Sequence, residues 1–105
     1  MSPPPLDFGR FTDPAVMILS SLADGDKHGY AISQDVAELT GSPLGPGTLY
    51  GALARLEQRG LIESTEPEGR RRPYRLTAEG REQLRQQLAG MQAFVESSLK
   101  RLAIA

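Results

Sequence analysis

The chain contains no cysteine and no tryptophan, and His28 is its only histidine. Without thiolates there is no disulfide scaffold, no thiol nucleophile and no cysteine-held metal, and a reducing compartment is easily tolerated. The lone imidazole has no cysteine to pair with. Asp24 and Asp26 beside it fall in a polar turn, where carboxylates ordinarily solubilise and cap helices. No apolar run approaches the ~20 residues of a membrane span. The opening MSPPPLDFGRF lacks both the basic patch and the apolar core of a secretion signal. The glycines of GSPLGPG are followed by no lysine, as a phosphate-binding loop would require, and the dinucleotide-binding pattern is absent. The expectation is a cytoplasmic protein with no catalytic residues, no cofactor, no metal and no membrane association.

What remains is a 105-residue chain, short enough for one small domain with an appended element. A chain of this size buries a modest core, and pairing with a second copy adds burial. The formal charge of −1 conceals an asymmetry. Residues 1–44 carry two basic and six acidic side chains, a net of −4. Residues 45–85 carry eight arginines against six glutamates, a net of +2, and residues 86–105 add +1. Arg70, Arg71 and Arg72 are consecutive, and such a self-repelling cluster is useful mainly opposite negative charge.

Hydrophobic spacing and punctuation give the elements. Residues 1–11 hold prolines, glycine and scattered Leu6, Phe8 and Phe11, and read as a loose arm. Asp13-Pro14 is an N-cap followed by proline at the first helical position, and Ala15, Ile18, Leu19 and Leu22 share one side of a first helix. A second helix is expected from about His28 to Leu39 on Ile32, Val36 and Leu39, closed by Thr40-Gly41. A third spans 47–59 and stops at Gly60. LIEST and PYRL then read as two strands joined by PEGRR, with Pro73 suited to an edge or a strand start. Thr77 caps a long last helix, with Glu79 in its first turn, reaching about residue 102. Leu84, Leu88, Met91 and Val95 recur at heptad-like steps and Leu102 lies further along. Ser98 interrupts the seam and Gly90 weakens the helix interior. These five apolar residues are the expected dimerisation seam. Three helices, a hairpin and a long final helix make a mainly α winged helix-turn-helix with a two-stranded β wing, followed by a dimerisation helix.

The third helix has an informative wheel. Leu49, Ala52, Leu53 and Leu56 occupy one face. The opposite face holds Gly47, Gly51, Ala54 and Gln58, with Tyr50 and Arg55 flanking it. A face of glycine and alanine lets a helix sink into a major groove. Thr48, Tyr50 and Arg55 at its rim can reach phosphates or base edges, and the free amides of its first turn suit a phosphate. In the wing, Arg70, Arg71, Arg72 and Arg75 surround Tyr74. A two-residue strand period does not put all of them on one side, and the side facing nucleic acid is expected to include Arg71 or Arg72.

Three stretches carry a more specific resemblance: HGYAI at 28–32, GTLYGALARLEQRGLI at 47–62 and RRPYRLTAEG at 71–80. In this order and spacing they resemble the PadR family of bacterial winged-helix transcription regulators over residues 14–81. The resemblance implies homodimers that bind operator DNA, usually as repressors, and often respond to a small hydrophobic or phenolic effector. It places Thr48 and Tyr50 in the opening of the recognition helix, Tyr74 in the wing, and Gly29 and Tyr30 at the start of the second helix. Gly45 stands where the family often has serine, which removes a side-chain cap. The single C-terminal helix resembles the shorter members, and the absence of tryptophan removes a pocket of stacked indoles. The expected organisation is an arm over 1–11, a DNA-binding domain over 12–76 and a dimerisation helix over 77–105. The expected function is that of a sequence-specific regulator of double-stranded DNA. The alternative is a winged-helix module that docks on an acidic protein surface.

Overall fold

The computed structural model describes residues 13–67 and 69–104. The arm expected over 1–11 lies outside them. Helix α1 (Pro14–Leu22) starts as its sequence dictates: the Asp13 carboxylate accepts from the amide of Ala15 at 2.7 Å, and Pro14 fills a position whose amide has no helical partner. Helix α2 (Gly29–Thr40) is capped by His28 and closed by Gly41 at φ 84°, a left-handed position suited to glycine. Helix α3 (Pro46–Gln58) begins at Gly45, which supplies no side-chain cap.

Strand β1 (Ile62–Ser64) pairs antiparallel with β2 (Tyr74–Leu76), with Ile62 opposite Leu76, Glu63 opposite Arg75 and Ser64 opposite Tyr74. Pro73 precedes β2, and its carbonyl accepts from both the amide and the hydroxyl of Thr65. Helix α4 (Ala78–Ile104) runs for 27 residues. Its cap is Thr77, whose hydroxyl oxygen accepts from the Gly80 amide at 3.0 Å and whose hydroxyl donates to the Gly60 carbonyl.

Ile18, Leu19 and Leu22 of α1, Ile32 and Val36 of α2, and Leu49, Leu53 and Leu56 of α3 form one core, closed by Ile62 and Leu76 of the hairpin. Leu39 departs from its expected inward place. It lies at the solvent-facing end of α2, beyond the reach of the other helices, and is exposed.

One connection joins the front of the molecule. Lys27 and Tyr74 exchange backbone hydrogen bonds, so the residue ahead of α2 adds a rung to the wing. The Lys27 ammonium, half-buried, donates to the Ser21 carbonyl at the end of α1 and to Asp24, whose carboxyl it holds below the usual range. Arg75 spans from the wing to Asp26 at 3.1 Å. The turn between α1 and α2 is thereby tied to the hairpin.

Candidate nucleic-acid interface

Helix α3 is held by its apolar side. Leu49, Ala52, Leu53 and Leu56 are buried, so the opposite face is fixed toward solvent. Gly47, Thr48, Ala54 and Arg55 are exposed there, Tyr50 is 54% exposed and Gly51 is half-buried. A Cβ built on Gly51 would stand 3.5 Å from Nη1 of Arg55, so that guanidinium lies back along the helix over the glycine. The profile is slim at the centre, with polar groups at its rim.

Tyr50 is positioned by a residue of another element. A Cβ on Gly29 would lie 2.7 Å from the Tyr50 hydroxyl and 3.1 Å from two ring carbons. Gly29 is buried beneath that ring, so the absence of a side chain at 29 sets where the tyrosine of α3 rests. The HGYAI and GTLY stretches therefore meet in space.

The wing brings the third stretch to the same side. Tyr74 is half-buried. Its burial, with the Glu57 carboxylate and Tyr50 nearby, raises its pKa, against an opposing effect of Arg72. Its phenol thus keeps its proton, and its donor, well above neutral pH. Glu57 in turn accepts from the Ser64 hydroxyl at 2.5 Å, joining α3 to β1. Arg70, Arg71 and Arg72 are exposed. Nη1 of Arg71 lies 3.2 Å from Nε2 of His28. Arg75 points elsewhere, toward Asp26 and Glu63.

Two features have no counterpart in the sequence reading. The sequence puts His28 at the start of the second helix, within HGYAI, and gives it no catalytic or metal role; the structure makes it the cap of α2 and a neighbour of the wing. Its place directly before a helical run was the available signal. The seat of Tyr50 on Gly29 links positions far apart in the chain and has no local signature. Among the described residues, no three His, Cys, Asp or Glu side chains gather to hold a metal. None of the described helices is long and apolar enough to cross a membrane.

The five expected seam residues divide. Leu84 is 6% exposed and belongs to the core of its own chain, so it anchors α4 to the domain and offers almost no surface to a second copy; this corrects its assignment to the seam. Met91 is partly buried against the same core. Leu88, Val95 and Leu102 are 45%, 49% and 73% exposed, and Phe94, Leu99 and Ile104 are exposed as well.

The chain is 48% identical over 82 residues to an uncharacterised 37.1 kDa protein in transposon TN4556 of Streptomyces fradiae, a match covering 78% of this chain and 24% of that protein. It is 43% identical over 67 residues to the transcriptional regulator Rv3488 of Mycobacterium tuberculosis, covering 61% and 62% of the two chains. The chain thus spans about a quarter of the first relative's length and under two thirds of the second's. A crystal structure of a PadR family transcription regulator from Clostridium difficile R20291 superposes with a TM-score of 0.75 at 29% identity, over 87% of this chain and 98% of that one. Residues 18–86, which hold α2, α3 and the whole wing, match the model of the PadR-like family of transcriptional regulators, and the chain belongs to that family.

Proposed function

We propose that the chain is a sequence-specific regulator of double-stranded DNA that acts as a homodimer on a roughly palindromic operator, usually to repress. The observation that carries this reading is the outward face of α3. Gly47, Thr48, Tyr50, Gly51, Ala54 and Arg55 form a narrow, solvent-facing surface on a helix whose other side is locked in the core. Such a helix enters a major groove with Arg55 and Thr48 within reach of base edges and phosphates. Arg70, Arg71, Arg72 and Tyr74 of the wing flank it and supply the backbone attraction. Winged-helix regulators of this family generally bind DNA as dimers, which supports the second half of the reading. Residues 12–76 would form the reading unit and 77–105 the dimerisation helix. The seam between two α4 helices is the place where apolar side chains of both chains could enclose a small hydrophobic effector.

The test is a mobility-shift titration against the DNA upstream of the chain's own gene and against random duplex, over a series of salt concentrations. The upstream duplex should bind more tightly by a factor of about a thousand or more at physiological salt. Equal affinity for the two at every salt concentration rejects operator reading.

A further inference from the structure

His28 has two contacts that one imidazole cannot satisfy together. Its Nδ1 lies 3.3 Å from the backbone N–H of Ala31, which it caps. Its Nε2 lies 3.2 Å from Nη1 of Arg71. Both neighbours are donors, because an amide and a guanidinium have no lone pair to offer. A neutral ring has one accepting nitrogen and a charged ring has none. One of the contacts is therefore not a hydrogen bond.

The cap is the one that stays. The Ala31 amide belongs to the first turn of α2, where no intrahelical carbonyl can take it, and the residue is half-buried. Arg71 is exposed on the wing. With Nδ1 accepting, Nε2 carries the proton and directs it into the space that the Arg71 guanidinium also faces. Two donors then lie 3.2 Å apart, a pairing that an anionic acceptor placed beside both would satisfy. The carboxylates of Asp26 and Glu63, which line the adjoining cleft, are engaged by Arg75 at 3.1 and 4.0 Å. Glu66 also lines that cleft and makes no hydrogen bond to His28 or Arg71.

We propose that the Nε2–H of His28 and the guanidinium of Arg71 together hold one phosphodiester oxygen of the bound duplex, clamping its backbone at the joint between α2 and the wing. This rests on the DNA-binding reading and extends the interface to a residue outside both the recognition helix and the arginine run. The positive end of the α2 dipole adds to the attraction at the same point.

His28→Asn, His28→Gln and Arg71→Ala separate the clamp from the cap. Asparagine keeps an oxygen suited to an N-cap but ends short of Arg71, while glutamine can carry an N–H to the place of Nε2. Each variant is melted and titrated with random duplex and with the upstream duplex over a salt series. H28N should melt like the native chain and bind both duplexes about tenfold more weakly, the scale of a hydrogen bond to a charged group. Its salt slope should be unchanged, since a neutral imidazole displaces no counterion. R71A should flatten the slope by about 0.9. H28Q should recover most of the affinity, and the double variant H28N/R71A should lose less than the product of the single losses. Native-like binding by H28N overturns the clamp, as do purely multiplicative losses. Equal weakness of H28N and H28Q accompanied by lowered melting also overturns it, leaving His28 as a cap alone. All of these outcomes leave the DNA reading in place. A native chain that binds no duplex removes that reading and the clamp with it.

Discussion

Two glycines of α4 show how differently one residue type is constrained along a single helix. A Cβ on Gly80 would run into the carbonyl oxygen of Leu61 and lie 2.8 Å from Cδ1 of Leu76. That carbonyl is already fixed by accepting from the Thr77 amide at 3.1 Å, so it has no room to retreat. Gly90, ten positions on, has open space where its Cβ would be. Helix propensity alone favours alanine over glycine by about 1 kcal/mol at either site. At Gly80 the overpacking, typically costing about 1–3 kcal/mol, acts against that gain. Gly80→Ala should therefore lower the thermal midpoint and Gly90→Ala should raise it. Calorimetry of the two variants checks the signs, and a stabilised G80A would mean that α4 can lift from the hairpin without loss. The TAEG stretch thus keeps its glycine for close packing, a reason that only the tertiary arrangement supplies.

The wing can be tested as a unit, because its three arginines are exposed and stand apart from the core. Replacing Arg70, Arg71 and Arg72 by alanine should weaken binding to upstream and random duplex alike. The salt slope should fall by about 0.9 for each phosphate that is no longer neutralised. An unchanged slope would take the wing off the backbone. The elements themselves were legible in the sequence because their signals are local. Asp13-Pro14 and Thr77 mark helix starts by hydrogen-bonding chemistry, Gly41 marks a stop by its positive φ, and the spacing of Leu49, Leu53 and Leu56 fixes which side of α3 is buried. Most of the candidate interface followed from those faces. What stayed hidden depends on which elements touch. Leu84 and Leu88 are equivalent by periodicity, yet only Leu84 lies near enough to the core to be covered. Likewise Leu39 has helical spacing but nothing packed above it. The pairings of Lys27 with Tyr74, His28 with Arg71 and Gly29 with Tyr50 join segments distant in sequence, and no pattern within any one segment announces them.

At the scale of the whole molecule, α4 leaves the domain and carries its apolar residues with it. The described residues extend over 56 × 33 × 20 Å, and beyond Leu84 the helix keeps no buried residue. Leu88, Phe94, Val95, Leu99, Leu102 and Ile104 remain uncovered in one chain. Covering each large apolar side chain is worth roughly 1.5–3 kcal/mol, so a second copy of α4 has much to gain by packing there. The break at Ser98 argues for a crossed pair of helices over a regular coiled coil. Two-fold symmetry would then present two α3 helices to major grooves about 34–36 Å apart, which is what a palindromic site requires. Val95→Glu combined with Leu102→Glu tests this without touching the core, since both positions are about half exposed or more. At micromolar concentration the native chain should sediment as a dimer and the double variant as a monomer with its circular dichroism largely retained. The variant should also lose its preference for the upstream duplex while still binding random DNA, because each half-site interaction survives and only their coupling is gone. A native chain that sediments as a monomer would refute both the dimer and the paired half-sites. A dimeric double variant would keep the pairing but move its surface away from this face of α4.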